Sequence, residues 1–408
     1  MQFKRIATSI VLFFFVILIL YFSFPKIIYN FFIFPIIKDN QIYLFGDWTV
    51  ILSAIKCKLI NYDVFINNPC DVINRAHVYG SILLFIPYFQ NLNIFYFLYF
   101  PIIVNLIFIA AIISHFRFLN IRDFILPLVF IFNPSTLLLM ERLNFDIFIF
   151  LIMLLLCYFR KNFLNLFLVS FLTVAKFYPI SLVLLFFIKD KSKKFLVNII
   201  YFIFFLFLTI ILLYLDRANI SKIVNNVAQF SANYKWSFNF FGFSKIPFLL
   251  EIFSKDILVI FSIFLFLIFI FFGFNSPIFK IIEDNYLSDK KNWNYKETLF
   301  LISSGVFVST YFIFNNWIYR EVFLFGLIPL FLELSDKSFF LKNLVNFIIF
   351  RFIYFTLSSF FTIFLNNDLL LTFNQIMDIC FVSFIAGILV RLYLKLLINF
   401  FISRKFTL

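Results

Sequence analysis

Asp47 is the residue best suited to chemistry in this chain. It lies in the longest polar interval of an otherwise greasy sequence, Phe45 to Tyr79, which reads FGDWTVILSAIKCKLINYDVFINNPCDVINRAHVY. A carboxylate at a water–lipid boundary can take the proton from an acceptor hydroxyl as a bond forms to that oxygen. The plainer alternative is a solvated loop aspartate beside an interfacial tryptophan, Trp48. In the same interval Asp71 and Arg75 stand four apart in PCDVINR, the spacing of a local ion pair worth roughly 0.3 kcal/mol.

Three later segments carry the other reactive types. ERLNFD (Glu141 to Asp146) puts Glu141 and Asn144 three apart, on one face if the segment is helical. Asn144 or Asp146 also suits a helix N-cap, while the adjacent charges of Glu141 and Arg142 cost desolvation unless they are used. KFYP (Lys176 to Pro179) sets an ammonium in an apolar run. A lipid phosphate would suit it as an anionic partner, and the bland alternative is a lysine snorkelling to the interface. NNWIYRE (Asn315 to Glu321) repeats the theme with Arg320 beside Tyr319 and Glu321, where a simple Arg320–Glu321 ion pair is the alternative. His77 and His115 have no ligand spacing, so no metal site is expected.

The elements that must position these residues are apolar helices. Of 408 residues 64% are hydrophobic and 13% charged, with a mean hydropathy of +1.04. No soluble domain hides that much apolar surface, so the class is an all-α polytopic membrane protein. The 74 phenylalanines, with abundant Ile, Asn and Lys, fit a coding bias and carry no functional weight. The net charge of +14 reflects basic residues at loop ends, and no basic soluble face suggests nucleic acid. Cys157 and Cys380 fall in hydrophobic spans. Cys57 and Cys70 share the first loop and can pair if it faces an oxidising space.

Sidedness follows from the basic residues. The N-terminal run resembles a signal peptide but lacks a small-residue cleavage site, so a retained anchor over about Ile6 to Phe24 is expected. Lys4 and Arg5 before it put the N-terminus in the cytoplasm and the loop over 25–93 outside. In that loop FFIFPII and SILLFIPYF suit helices lying at the interface. Spans are expected at about 94–114 and 124–140, with a fourth after ERLNFD that returns to Arg160 and Lys161. The run 163–188 is expected to be a re-entrant hairpin broken at KFYP, because a single crossing would put the basic cluster KDKSKK outside. A span near 195–215 then leads to a second outer loop, 216–256. Later spans bring the C-terminus to the cytoplasm. The total is about eleven spans or half-spans in a single integral membrane domain, 1–408, whose polar islands gather at one outer rim.

In this order, DW with CD...R...YG, then ERLNFD, KFYP and NNWIYREVF, the segments resemble the GT-C class of multi-pass glycosyltransferases. The nearest likeness is to the branch with polyprenol-phosphate-mannose-dependent mannosyltransferases and their bacterial relatives. Those tend to read ER-G-N-x-D, K-x-Y-P and D-Y-R-L-I-F. Here Leu143 stands for the glycine and Ile318 for the acid before Tyr319. The resemblance implies a GT-C-like bundle with a large first outer loop. It implies sugar transfer, with inversion, from a polyprenyl-phosphate sugar donor to a glycan or glycolipid acceptor on the outer face of the cell membrane. By it Asp47 is the base and Lys176, Arg142 and Arg320 hold the phosphate. Asp71, Arg75, Glu141, Asn144, Tyr178, Asn316, Trp317 and Tyr319 are the further substrate-binding candidates. Membrane lipids are the remaining partners, and no cofactor is expected. The rivals are an O-antigen-type polymerase, whose arginines would dominate the outer loops, and a lipid flippase or transporter, whose charges would line a path through the middle. Arg351 and Asp378, each expected near a span end, are the remaining intramembrane charges.

Overall fold

The computed structural model describes residues 36–38, 41–85, 95–116, 121–158, 162–184, 195–229, 238, 240, 242–279, 294–312, 318–335, 338–365 and 368–405. Besides helices and their connecting loops, the described residues form one β-hairpin, β1 (Ile36–Lys38) with β2 (Gln41–Tyr43), in which Ile37 faces Ile42. The expected interfacial helix over FFIFPII is therefore not formed at Ile36 and Ile37; the residues before them, like the expected first span, lie outside the described residues.

The helices that follow are α1 (Gly46–Leu59), α2 (Phe100–Ser114), α3 (Ile121–Ile131), α4 (Pro134–Arg142), α5 (Asp146–Tyr158) and α6 (Asn162–Lys176). After them come α7 (Phe195–Leu215), α8 (Arg217–Gln229), α9 (Pro247–Ile252), α10 (Lys255–Phe274), α11 (Tyr295–Phe312), α12 (Ile328–Ser335), α13 (Phe339–Leu365) and α14 (Asp368–Lys405). Among the described residues four helical segments are long and apolar enough to cross a membrane: Phe95–Ser114, Lys255–Phe279, Phe339–Ser358 and Thr372–Lys395. The count is six if two bent pairs are each one span, α3 with α4 (52°) and α7 with α8 (74°). The architecture is that of a polytopic helical membrane protein. The first bend has a local cause. Asn133 leaves the helix, its side chain accepts the Ser135 N–H at 2.9 Å, and Pro134 starts α4 without a donor to lose.

The chain divides into two compact units. The first comprises Met1–Leu156, Ser170–Phe177 and Leu206–Phe230; the second comprises Cys157–Val169, Tyr178–Phe205 and Ser231–Leu408. In the first, α1 was not anticipated, since its window had the look of a polar loop. It buries Trp48, Val50, Ile51, Leu52, Ala54 and Ile55, and the Trp48 indole donates to the Tyr96 carbonyl at 2.9 Å. The Cys57–Cys70 disulfide pins its last turn to the loop beyond. At the loop's far end Gly80 donates to the Ala175 carbonyl at 2.9 Å. A side chain at position 80 would collide with the Val174 carbonyl, so glycine permits the approach that sets Tyr79 beside the last turn of α6.

In the second unit α10 and α14 pack closely at Gly273 and Gly387, each against a backbone carbonyl of the facing helix, as small residues allow in membrane helices. A buried triad ties α14 to two further elements. Glu321, in the 3₁₀ segment Ile318–Leu327, and Asp378 of α14 both accept from Nη2 of Arg351 on α13. All three side chains are at most 3% exposed. Arg351 and Asp378 lie within the candidate spans Phe339–Ser358 and Thr372–Lys395. Buried charges of this kind persist only when paired.

Candidate functional site

The first unit gathers Asp47, Asp71, Arg75, Tyr79, Arg142, Asn144, Asp146 and Lys176 into one cluster. These residues come from α1, its following loop, the α4–α5 junction and the end of α6. Asp47 lies in the first turn of α1, where the free N–H groups of a helix start favour a carboxylate. Its side chain is 13% exposed. Oδ1 accepts from Arg142 Nη1 at 3.2 Å, and Oδ2 accepts from Asn144 Nδ2 at 2.5 Å. Arg75 Nη1 stands 3.8 Å from Oδ1.

Arg75 is itself held from behind. Asp71, buried, receives Nε and Nη2 at 3.0 and 2.8 Å in a fork and also the Arg75 backbone N–H at 3.0 Å. Nη2 donates as well to the Gly46 carbonyl at 2.8 Å. The i,i+4 ion pair foreseen from spacing is thus present, on a loop rather than a helix, and it fastens that loop to the start of α1.

ERLNFD does not form one helical face. Helix α4 stops at Arg142 because Leu143 turns left-handed (φ 42°), with its N–H and that of Asn144 returning to the last turn. Asn144 then starts α5: its Oδ1 accepts the Asp146 N–H at 3.1 Å and its carbonyl the Ile147 N–H at 3.0 Å. Glu141, whose side chain was expected beside Asn144 on one helical face, sits across this break. It is buried, and its backbone carbonyl accepts the Phe45 N–H at 3.0 Å, joining α4 to the residue before α1.

Lys176 ends α6, and Phe177, at φ 59°, breaks the helix before the 3₁₀ segment Tyr178–Leu184. The interruption expected at KFYP is there. The ammonium is ion-paired with the fully buried Asp146 carboxylate, donates to Asn144 Oδ1 at 2.5 Å, and lies 5.3 Å from the centre of the Tyr79 ring. Asn144 Nδ2 also reaches the Tyr79 hydroxyl at 3.3 Å. Three carboxylates, Asp47, Asp71 and Asp146, are thereby matched by three cations, Arg75, Arg142 and Lys176.

Backbone strain concentrates at the same place. Five described non-glycine residues have positive φ: Phe45, Asn61, Asn74, Leu143 and Phe177. All but Asn61 lie within two residues of Asp47, Arg75, Arg142 or Lys176. The left-handed region costs a bulky side chain about 1 kcal/mol or more, and such strain clusters where geometry is functional. His77 packs beneath, its ring between Phe65 and Tyr79 at 5.4 and 5.7 Å. Its complete burial lowers the imidazole pKa to about 4. Among the described residues no group of three or more His, Cys, Asp and Glu side chains could hold a metal ion.

The remaining sequence candidates belong to the second unit or escape description. Arg320 lies over the Tyr178 ring with 4.7 Å between guanidinium carbon and ring centre. Its neighbour Glu321 gives its carboxylate to Arg351. Tyr319 is placed by its backbone within the segment Ile318–Leu327, and Asn316 and Trp317 lie outside the described residues. Two members of the cluster were missed from sequence. Asp146 looked like a cap alone, and Tyr79 is one of 19 tyrosines; the YG that ends the first polar interval was the available signal. Comparison of the chain with known protein families, with curated proteins and with solved structures finds no match.

Proposed function

We propose that the protein is a GT-C-type glycosyltransferase that moves a sugar from a polyprenyl-phosphate donor to a glycan or glycolipid acceptor on the outer face of the cell membrane. The observation that carries this reading is Asp47: a partly open carboxylate at a strained helix start, gripped by an amide and faced by two guanidinium groups. A general base needs a fixed, ionised carboxylate within reach of a hydroxyl, and a departing phosphate needs cations close by. The Asp71–Arg75 fork and the Arg142 contact supply both from residues that the resemblance to GT-C enzymes also singles out. In the reaction the acceptor oxygen bonds to the anomeric carbon and gives its proton to Asp47. The bond from that carbon to the phosphate oxygen breaks, and polyprenyl phosphate leaves with the electron pair. Attack opposite the leaving group inverts the anomeric centre. Arg142 faces the new negative charge. The disulfide in the first loop fits an oxidising, outward-facing side. The bundle of about eleven spans and half-spans belongs to the same reading.

Transfer from a panel of polyprenyl-phosphate sugars in purified membranes tests it. Asp47→Asn keeps the shape but cannot accept a proton, so transfer should fall by on the order of 100-fold or more while the protein remains folded and inserted. Wild-type-like transfer by this variant would remove Asp47 from the chemistry. A second reading, a flippase for a polyprenyl-linked glycan, is favoured by one observation, the charged triad two of whose members, Arg351 and Asp378, lie inside candidate spans. It predicts lipid translocation in reconstituted vesicles with no transfer from any donor.

A further inference from the structure

Lys176 resembles a phosphate ligand by type, yet its surroundings suit another task. An ammonium has three donors. Here it meets the buried Asp146 carboxylate, Asn144 Oδ1 at 2.5 Å and the face of Tyr79. Its side chain is 9% exposed and that of Asp146 fully buried. A phosphate drawing the ammonium away would break the ion pair of the buried Asp146 carboxylate, which is strongly unfavourable.

The consequence falls on Asn144. Its Oδ1 receives two donors, the Lys176 ammonium and the Asp146 N–H at 3.1 Å. Turning the amide over would face its N–H₂ against both, donor against donor. The amide is therefore chemically fixed with Nδ2 on Asp47 Oδ2 at 2.5 Å. We propose that Asp146 and Lys176 are positioning residues that act on Asp47 through Asn144, and that Lys176 is not a phosphate ligand of the donor. This rests on the glycosyltransferase reading for its kinetic arm alone. The chain Asp146–Lys176–Asn144–Asp47 locks one carboxylate oxygen and leaves the other, on the Arg142 side, to meet the acceptor.

Two readouts separate this from a merely structural role. Lys176→Met should lower kcat on the order of tenfold or more with donor KM within about twofold, the pattern of a lost transition-state contribution. In parallel, the reaction of Asp47 with a hydrophobic carbodiimide, mapped by peptide mass, should shift to higher pH. A carboxylate that loses a fixed hydrogen-bond donor holds its proton more readily. The double variant Lys176→Met with Asp146→Asn leaves no lone buried charge and should reproduce both effects if the single variant folds poorly. A donor KM raised tenfold at unchanged kcat, with unaltered Asp47 labelling, would overturn the proposal in favour of phosphate binding. No change in either readout would overturn it as well. If the wild type transfers no sugar at all, the glycosyltransferase reading fails while the carbodiimide profile still decides the Asn144 linkage.

Discussion

Burial keeps the His77 imidazole neutral down to about pH 4, below its ordinary 6.5. The unfolded chain therefore binds a proton that the folded chain refuses, and the sign is fixed: the stabilising contribution is complete above about pH 6.5 and fades as pH falls towards 4. The loss is about 2 kcal/mol at pH 5 and about 3 kcal/mol below the folded value. His77→Phe, a ring of similar size between Phe65 and Tyr79, should show a smaller drop in Tm between pH 7 and pH 5 than the wild type in detergent. Equal drops would show that other groups govern acid stability. The same scale shows what the sequence concealed. Asp47, Arg75, Arg142, Asn144 and Lys176 were legible by type and motif order. The Asn144 linkage was not, because it depends on the backbone turning at Leu143. That residue stands where related motifs have glycine, yet it adopts the left-handed conformation that glycine would favour.

Helices were legible wherever apolar runs were long, and their interruptions were not. Hydropathy runs continuously through Asn133 and Pro134, so one span was expected where α3 and α4 meet at 52°. Conversely, the apolar core of α1 is short and was absorbed into a loop. The Glu321–Arg351–Asp378 triad escaped for a related reason: its three members are far apart in sequence, and helix pairing alone brings them together. Removing Arg351 alone leaves two buried carboxylates without their shared cation. Arg351→Met should thus destabilise the protein by about 3–5 kcal/mol, seen as lost folded yield or a large fall in Tm. Replacing all three, with Glu321→Gln, Arg351→Met and Asp378→Asn, should recover most of that loss, since no lone charge remains. A triple variant as unstable as Arg351→Met would show that packing, not charge, holds these helices.

At the scale of the whole molecule the remaining question is which side each end of the bundle faces. The disulfide loop and the basic residues each carry an expectation about sidedness. Cys57 and Cys70 are paired, which suits an oxidising compartment. Lys296, at the start of α11, pairs with Glu333 near the end of α12, so these two ends lie together, and the positive-inside rule predicts the cytoplasm for them. Single cysteines introduced at Asn67, exposed in the disulfide loop, and at Lys342, exposed on α13, put this to a direct test in intact cells. A membrane-impermeant thiol reagent should label Asn67→Cys from outside and should reach Lys342→Cys only after permeabilisation. The wild type, in which Cys157 is buried and Cys380 half-buried, supplies the blank. Labelling at position 342 but not at 67 in intact cells would invert the molecule. Asp47 would then face the cytoplasm, where thiols stay reduced, and a polyprenyl-phosphate donor presented outside could not be its substrate.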